Sequence, residues 1–231
     1  MSLLELKNVT KTFDKKKILD NVSLTVAPGR IVGLLGKNGA GKTTVIKLIN
    51  DLLTPTSGEI LFNGKPIGPL SKAQISFLPE ASCLEPRLQV NQAVRMYADF
   101  YADFDADKAN ALLDKHGIPQ ESTLNKLSKG MGEKLRLILV MSRNAKLYIL
   151  DEPLGGVDPA TRDEILDTIL HNFAEGASVL LSTHLIADIE RILDDVVFID
   201  DGKIALAEPA DTLRDREGCS VDQTFRRMFK C

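Results

Sequence analysis

A nine-residue run in the first quarter of the chain has the residue types of a phosphate-binding loop. Residues 36–44 read Gly-Lys-Asn-Gly-Ala-Gly-Lys-Thr-Thr, which fits the pattern G-x-x-x-x-G-K-[ST]. The glycines allow backbone N–H groups to turn inward around phosphates, and a helix that begins there adds the positive end of its dipole. Lys42 can then reach the β- and γ-phosphates of a nucleotide, and the Thr43 hydroxyl can hold Mg²⁺. A chance glycine-rich turn is the alternative, which a buried strand before the loop and a helix after it argue against.

Two adjacent carboxylates form a second candidate site. Asp151 and Glu152 directly follow an apolar run at residues 147–150 that is typical of a buried strand. A pair of carboxylates at such a position is too costly to bury without a cation or bound water. Asp151 can orient Mg²⁺ through its water shell, and Glu152 can accept a proton from an attacking water as general base. A purely structural acidic pair is the alternative.

Two single residues are weaker candidates. Phe13 can supply an aromatic surface for a nucleotide base, although alone it is better explained as a core or edge residue. His184 follows the apolar run at residues 179–182, and the carboxyl end of a strand is the ligand side of an open α/β sheet. Neither residue decides the function by itself.

The elements that must position these residues follow from apolar periodicity. Apolar and polar residues alternate near both ends of residues 4–26, which predicts two or three antiparallel strands. The continuous apolar run Ile31–Leu35 predicts a strand buried on both faces. Further strands are predicted at residues 147–150, 179–182 and 196–199, with helices between them. Such alternation indicates a parallel sheet with right-handed crossovers. The sequence therefore predicts an α/β fold.

Residues 85–143 form a mainly helical insertion into this α/β core. From Val90 to about Met141 the apolar residues recur at helical spacing. One broad stripe is expected to pack between helices, and it consists of Ala93, Val94, Tyr97, Phe100, Tyr101 and Phe104.

The segment Leu-Ser-Lys-Gly-Met-Gly at residues 127–132 begins the last helix of this insertion in an unusual way. Ser128 is an ordinary N-cap residue. Gly130 and Gly132, however, each cost a helix interior about 1 kcal/mol relative to alanine. The sequence thus predicts a helix whose first turn is built from weak helix formers.

Composition limits the functional classes. A net charge of −3 gives no indication of a nucleic-acid-binding surface, and Lys15, Lys16 and Lys17 are explained by a solvated turn. Cys83, Cys219 and Cys231 are odd in number and lack metal-ligand spacing, which favours a reducing cytoplasm. The amino-terminal residues lack the long apolar segment of a signal peptide, and no window approaches eighteen uncharged apolar residues. We therefore expect no membrane-spanning segment in this chain and no nucleic-acid partner.

Taken together and in this order, these segments resemble the nucleotide-binding subunit of ABC transporters over about residues 3–210. Phe13 matches the adenine-stacking aromatic of that family, and residues 78–80 match the Q-loop. Residues 127–131 match the signature motif, residues 155–158 match the D-loop, and His184 matches the switch histidine that contacts the γ-phosphate. Asp151 and Glu152 match the Walker B aspartate and the catalytic glutamate. The Walker A residues are Gly36, Lys37, Asn38, Gly39, Ala40, Gly41, Lys42, Thr43 and Thr44.

The resemblance assigns roles to these positions. Catalysis is expected of Lys42, Glu80, Glu152 and His184, and Mg²⁺ is expected at Thr43, Glu80 and Asp151. Besides Phe13 and the Walker A residues, the expected ATP contacts are Ser128, Lys129, Gly130, Met131 and Asp158.

Two positions depart from the family pattern. Glu80 stands where the Q-loop usually ends in glutamine, which retains an oxygen ligand but adds negative charge near the γ-phosphate. Lys129 and Met131 replace glycine and glutamine of the usual LSGGQ signature, whereas Ser128 and Gly130 remain. Lys129 either adds a cation near a phosphate or points to solvent.

The resemblance also implies an architecture. It consists of a P-loop NTPase core with a mostly parallel sheet, an N-terminal antiparallel β subdomain and an inserted α-helical subdomain. We expect the core at residues 1–84 and 144–210, the helical subdomain with the signature motif at 85–143 and a short C-terminal tail at 211–231. The tail carries Arg226, Arg227 and Lys230. A short terminal helix is the plain interpretation, and contact with a membrane surface is the alternative.

The implied function is that of an ATP-hydrolysing subunit that energises transport. Two such subunits dimerise head to tail, so that each ATP lies between the Walker A motif of one and the signature motif of the other. The expected partners are a second nucleotide-binding subunit, identical or similar, and separate transmembrane permease subunits at the cytoplasmic face of the cell membrane. The signature and D-loop sequences look most like those of bacterial export-type systems.

Three other functions remain as alternatives. The first is a soluble ABC ATPase without a transport role, and the second is a hydrolysis-deficient ATP switch, which Glu80 suggests. The third is a P-loop kinase or GTPase. It is disfavoured because residues 125–128, Asn-Lys-Leu-Ser, lack the aspartate of a guanine-binding NKxD motif.

Overall fold

The computed structural model describes residues 2–229 and leaves Met1, Lys230 and Cys231 outside the described part of the chain. Within residues 2–229 there are ten strands and nine α-helices. The strands are β1 (Leu4–Phe13), β2 (Lys16–Val26), β3 (Ile31–Leu35), β4 (Ser57–Phe62), β5 (Lys65–Pro66), β6 (Ile75–Leu78), β7 (Leu147–Asp151), β8 (Ser178–Thr183), β9 (Asp195–Asp200) and β10 (Lys203–Pro209). The helices are α1 (Lys42–Ile49), α2 (Pro69–Lys72), α3 (Val90–Phe100), α4 (Ala106–Lys115), α5 (Lys129–Met141), α6 (Pro159–Asn172), α7 (Ile186–Ile189), α8 (Ala210–Glu217) and α9 (Val221–Phe229).

A six-stranded sheet in the order β10-β9-β3-β8-β7-β6 forms the centre of the fold. All neighbouring pairs in it are parallel except β9 and β10, which confirms the predicted mostly parallel sheet. Strands β3, β7 and β8 are buried along their whole length, because both faces of the sheet are covered. In register, Leu35 lies beside Thr183, and Asp151 lies beside Ser182. The segments that leave the carboxyl ends of these three strands therefore start from one edge.

A separate four-stranded sheet in the order β2-β1-β4-β5 is antiparallel, as predicted for the amino-terminal region. One face of this sheet joins an apolar cluster with α1 and with one face of the central sheet, which includes Leu6, Val22, Ile46 and Val32. All four apolar side chains of α1, Val45, Ile46, Leu48 and Ile49, pack in this cluster. This packing fixes the helix that follows the glycine-rich loop.

Helices α3, α4 and α5 have a cluster of their own, as expected for the inserted helical segment. The predicted aromatic stripe is only partly correct. The Tyr97 ring lies 5.5 Å from the Tyr101 ring and 5.7 Å from that of Phe104. Phe100 is 76% exposed, however, so it does not pack between helices. The helical spacing does not hold to the end of the stripe, because α3 ends at Phe100 and Tyr101 has extended backbone angles.

Helix α5 connects the helical cluster to the central sheet. Its middle residues, including Leu135 and Ile138, belong to the helical cluster, whereas Val140 and Met141 near its end belong to the core of the central sheet. Lys108 of α4 reinforces this junction, because its ammonium donates to the backbone oxygen of Met141 at 2.7 Å and to that of Asn172. One helix therefore contributes to both parts of the molecule.

The carboxyl-terminal residues form two helices, α8 and α9, rather than one short terminal helix. Val221 and Phe225 of α9 are buried in the core of the central sheet, and the Phe225 ring meets Phe198 of β9 edge-on at 5.2 Å. The basic side chains of this segment pair with carboxylates of the same chain, Arg226 with Asp222 and Arg227 with Glu217. Lys230, the third basic residue of the proposed membrane contact, lies outside the described residues.

No helix in residues 2–229 has the length and apolar content needed to cross a membrane. Cys83 and Cys219 are free thiols, and Cys231 lies outside the described residues.

Helix α9 should contribute to stability as a part of the core. Replacing Phe225 with alanine removes a buried ring from contact with Phe198, and we expect the free energy of unfolding to fall by about 3 kcal/mol. Urea denaturation followed by circular dichroism measures this change. The control is Met228→Ala on the exposed side of the same helix, which should change stability by less than about 0.5 kcal/mol. Equal effects of the two substitutions would contradict the packing of α9.

Candidate nucleotide-phosphate site

The glycine-rich loop between β3 and α1 follows a path that only small residues permit at two positions. A Cβ atom at Gly36 would lie 2.5 Å from the backbone oxygen of Ile199, so the start of the loop passes directly against β9. Gly41 has φ 110°, in the left-handed region, and a Cβ atom there would lie 2.7 Å from a methyl group of Leu19. Ala40 is buried, and its backbone oxygen accepts a bond from Gly202. Neighbouring backbone and side chains, including those of β2 and β9, therefore restrict the path of the loop.

A cleft of about 240 Å³ opens beside this loop. Its walls bring together six of the nine loop residues, two of the predicted acids and one apolar residue that sequence patterns did not identify. They are Asn38, Gly39, Gly41, Lys42, Thr43, Thr44, Glu80, Glu152 and Ile18. Lys37 points elsewhere, because its ammonium donates to the backbone oxygen of Phe229 at the end of α9. Most of the predicted phosphate-loop residues and two of the predicted acids, Glu80 and Glu152, thus meet in one cleft.

Lys42 lies inside the curve of the loop. Its ammonium donates to the backbone oxygens of Gly36 at 2.8 Å and Lys37 at 3.2 Å. It also forms an ion pair with Glu152, with Nζ 3.2 Å from Oε1, and both side chains are less than a tenth exposed. A buried cation is therefore held at the centre of the cleft by one carboxylate and two carbonyl dipoles.

Glu152 is held in a strained backbone conformation with φ 50°. A left-handed conformation costs a non-glycine residue about 1 kcal/mol or more, and it persists only where the surroundings fix it. Here the Glu152 N–H donates to the backbone oxygen of Ser182 at 3.0 Å. Its carboxylate atom Oε2 accepts a bond from the Thr183 hydroxyl and lies 3.0 Å from Nδ1 of His184. In this conformation the carboxylate contacts both Lys42 and His184.

Asp151, one residue earlier, is the more deeply buried acid, with 2% exposure. Burial raises the pKa of its carboxyl, and the negative charges of Glu80 and Glu152 act in the same direction. Hydrogen bonds from the hydroxyls of Ser182 and Thr43 oppose this shift. Thr43, Glu80 and Asp151 thus place hydroxyl and carboxylate oxygens close together, and the acids repel one another. A hard divalent cation such as Mg²⁺ relieves this repulsion, so the donor set fits the expected metal.

Phe13 lies apart from this cleft. It ends β1, is 43% exposed and has the Lys11 ammonium 4.8 Å from its ring centre. Its ring is outside the set of residues that line the phosphate cleft. An exposed ring remains available to a base, and the adenine-stacking role stays a prediction.

The segment at residues 128–131 forms the first turn of α5, as expected. The Ser128 hydroxyl accepts a bond from the N–H of Met131 at 3.2 Å, which is an ordinary N-cap. A Cβ atom at Gly130 would lie 3.2 Å from the Thr161 hydroxyl, so larger residues fit poorly there. Ser128 and Lys129 of this turn line a second cleft, which shares none of its described residues with the phosphate cleft.

The Lys129 side chain lies over a neighbouring loop of the same chain. Its ammonium is so close to Gly156 that a Cβ atom on this glycine would be 2.1 Å away. Asp158, in the same loop, caps α6 by accepting bonds from the N–H of Thr161 at 3.1 Å and from its hydroxyl at 2.7 Å, and these bonds lower the pKa of Asp158. Both residues thus have contacts within the chain, and their predicted contacts with ATP stay predictions.

Sequence patterns missed the hydroxyls that orient the acids. Ser182 donates to Asp151 at 2.5 Å, and Thr183 donates to Glu152 at 3.0 Å. Both residues end the strand beside β7, so the pairing of predicted parallel strands is the signal that points to them.

Comparison with known proteins gives consistent matches. A protein-family profile described as ABC transporter matches residues 19–155. The chain is 34% identical over 216 residues to the ABC transporter ATP-binding protein YtrB of Bacillus subtilis (strain 168), covering 92% of this chain and 74% of that protein. It is 30% identical over 233 residues to the Nod factor export ATP-binding protein I of Cupriavidus metallidurans, covering 97% and 77% of the two chains. A solved structure described as the ATP binding subunit of an ABC transporter matches with a TM-score of 0.88 and 31% identity, covering 99% of this chain and 100% of that one.

The buried carboxyl of Asp151 should destabilise the protein when no metal is bound. A folded-state pKa above the ordinary value of 3.8 means that stability is lost as pH rises through the raised pKa. We therefore expect Asp151→Asn to raise the free energy of unfolding at pH 7 by on the order of 1 kcal/mol in metal-free buffer, and by much less at pH 3. Urea denaturation at both pH values measures this, with exposed Asp99→Asn as the control. A variant less stable than wild type at pH 7 would refute the interpretation.

Proposed function

The chain belongs to the ABC transporter family as an ATP-binding subunit and ATPase, and from this premise we propose that it energises export through separate membrane subunits by ATP-driven dimerisation. The observation that carries the proposal is the convergence of Lys42, Thr183 and His184 on the Glu152 carboxylate, next to the oxygens of Thr43 and Asp151. This arrangement has a cation for the γ-phosphate, a base for water and ligands for a metal within one cleft.

The ATP phosphates would lie along the N–H groups of residues 36–44, with Lys42 facing the β- and γ-phosphates. Thr43, Asp151 and Glu80 would hold Mg²⁺, which supplies positive charge against the phosphate oxygens. Phe13 would stack on the adenine, and its 43% exposure leaves ring surface for this contact.

Glu152 would act as general base and His184 would position the γ-phosphate and the base. Lys42 and Glu152 neutralise each other in the structure. A phosphate beside Lys42 would offer the ammonium a second anionic partner, which weakens its hold on the carboxylate. The carboxylate could then accept a proton from the attacking water, while the Thr183 hydroxyl and the backbone bond to Ser182 keep it in place.

The first turn of α5 would receive the γ-phosphate that is bound by a second subunit. The N–H groups of the N-cap residue Ser128 and of Gly130 lie at the start of a thirteen-residue helix whose dipole favours an anion at this end. Lys129, Met131 and Asp158 would lie at the same interface. The separation of this turn from the chain's own phosphate cleft supports a head-to-tail dimer, made of two copies of this chain or of this chain and a similar one.

The proposed partners are transmembrane permease subunits, and the proposed location is the cytoplasmic face of the membrane. Export is the direction supported by relatives, since one 30% identical protein is a Nod factor export ATP-binding protein.

A hydrolysis-deficient ATP switch is the second candidate, and Glu80 is the observation that favours it. A third carboxylate beside Asp151 and Glu152 adds negative charge where the γ-phosphate must lie. A steady-state ATPase assay distinguishes the two candidates, because a switch would bind Mg²⁺–ATP and dimerise without turnover.

Replacing Glu152 with glutamine should trap the dimer. The amide cannot accept the proton, so we expect kcat of the ATPase to fall by about 100-fold or more. ATP would then persist between two subunits, and size-exclusion chromatography with saturating Mg²⁺–ATP should show a dimer. The control is Glu175→Gln on the exposed surface, which should behave as wild type. A Glu152→Gln variant that stays monomeric under these conditions removes the main support for ATP-driven dimerisation.

A further inference from the structure

We propose that Arg136 is a positioning residue that holds Glu80 at the phosphate cleft near Thr43 and thereby links the orientation of α5 to the metal end of that cleft. This inference rests on the proposed function, in which Glu80 is a metal ligand. Arg136 itself touches neither nucleotide nor metal in this proposal, and it acts through the backbone of Glu80.

The Arg136 guanidinium joins two separate parts of the chain. The residue lies in the third turn of α5 and is only 9% exposed. Its Nη2 atom donates to the backbone oxygens of Pro79 and, at 3.3 Å, of Glu80. Its Nη1 atom donates to the Glu133 carboxylate at 2.7 Å, which balances the buried charge. Bonds from a buried guanidinium to carbonyl oxygens are costly to leave unmade, so this junction resists separation.

Glu80 needs such an anchor because its surroundings repel it. It lines the cleft with Lys42 and Thr43, and the carboxylate residue Glu152 lines the same cleft. Two like charges brought close in a partly buried site push each other apart. The bonds from Arg136 to residues 79–80 go to backbone carbonyls, so they fix the position of residue 80 without using its carboxylate. The carboxylate is therefore kept at the cleft against repulsion until a cation binds.

The same helix presents the turn that would meet a second subunit. Arg136 is eight residues beyond Ser128, which corresponds to about 12 Å along the helix axis. The Ser76 hydroxyl of β6 donates to the backbone oxygen of Val140 at 2.8 Å, so α5 and β6 are tied at a second point one turn further on. A tilt of α5 caused by binding at its first turn would consequently be transmitted to residues 79–80 through the guanidinium.

Direct metal binding tests the role of Arg136. We would measure the affinity for Mn²⁺ by electron paramagnetic resonance with the full chain saturated by a non-hydrolysable ATP analogue. Arg136→Gln keeps a hydrogen-bond donor, but it loses the charge and is too short to bond both the Pro79 and Glu80 carbonyls. This substitution should weaken Mn²⁺ binding by about three- to tenfold. Arg136→Lys should recover part of this loss. Affinity for the nucleotide alone should change by less than twofold in both variants.

The matched control and a second background separate positioning from general damage. Lys134→Gln alters a neighbouring cation of α5 that pairs with Glu164 of α6, and it should leave Mn²⁺ affinity unchanged. In a Glu80→Ala background, Arg136→Gln should weaken Mn²⁺ binding by less than twofold, because the ligand oxygen that Arg136 positions has been removed. An equal loss in both backgrounds, or no loss in either, overturns the proposal.

Two further outcomes keep the inference distinct from the proposed function. If wild type fails to bind the nucleotide analogue, the proposed function fails and not only the role of Arg136. If wild type binds nucleotide and Mn²⁺ and Arg136→Gln binds Mn²⁺ equally well, only the positioning role fails. Should Arg136→Gln not fold, Arg136→Lys decides the question: the proposal stands only if Arg136→Lys weakens Mn²⁺ binding with Glu80 present and has no such effect in the Glu80→Ala background.

Discussion

The buried ion pair between Lys42 and Glu152 is the interaction on which the arrangement of the site depends. Both side chains are less than a tenth exposed, and desolvation of two charges is repaid only when further polar groups surround them. The carbonyl oxygens of Gly36 and Lys37 accept bonds from the Lys42 ammonium, and the Thr183 hydroxyl donates to the Glu152 carboxylate. Those partners come from the carboxyl ends of β3 and β8, and Glu152 itself follows β7. The pair can therefore form only if β3, β7 and β8 are adjacent and in register.

The central sheet meets this requirement because these three strands are held in place by packing on both faces of the sheet. Strands β3, β7 and β8 are buried throughout, so apolar burial on both faces stabilises their register. The residues at the carboxyl end of β7 act against stability. Glu152 has a left-handed backbone, and Asp151 is an acid with 2% exposure. Stabilisation in the strands thus offsets strain and charge burial at their carboxyl ends, which is the usual distribution in a site prepared for a ligand.

The parts that sequence analysis predicted are those determined by neighbours along the chain. The phosphate loop, the buried strands and the N-cap at Ser128 each follow from a few consecutive residues, and the structure contains all three. Phe100 was misplaced because helical spacing shows which residues share a face of α3 but not whether another element covers the last turn of that helix. Lys129 lies over Gly156, which is 27 positions away in the sequence, and Arg136 bonds Pro79, which is 57 positions away. No local sequence pattern contains information on contacts between such distant residues.

The weak first turn of α5 is explained by the several constraints that meet in this helix. Its middle and end are fixed in two apolar clusters, and Arg136 and Val140 tie it to the residues around β6. These contacts stabilise the helix well beyond its first turn, so the cost of glycine at 130 and 132 is tolerated. At residue 130, the proximity of Thr161 also disfavours a larger side chain. The beginning of the helix can thus have a weak first turn, as the proposed contact with an anion requires, while Arg136 in the third turn bonds the backbone of Glu80 at the chain's own phosphate cleft.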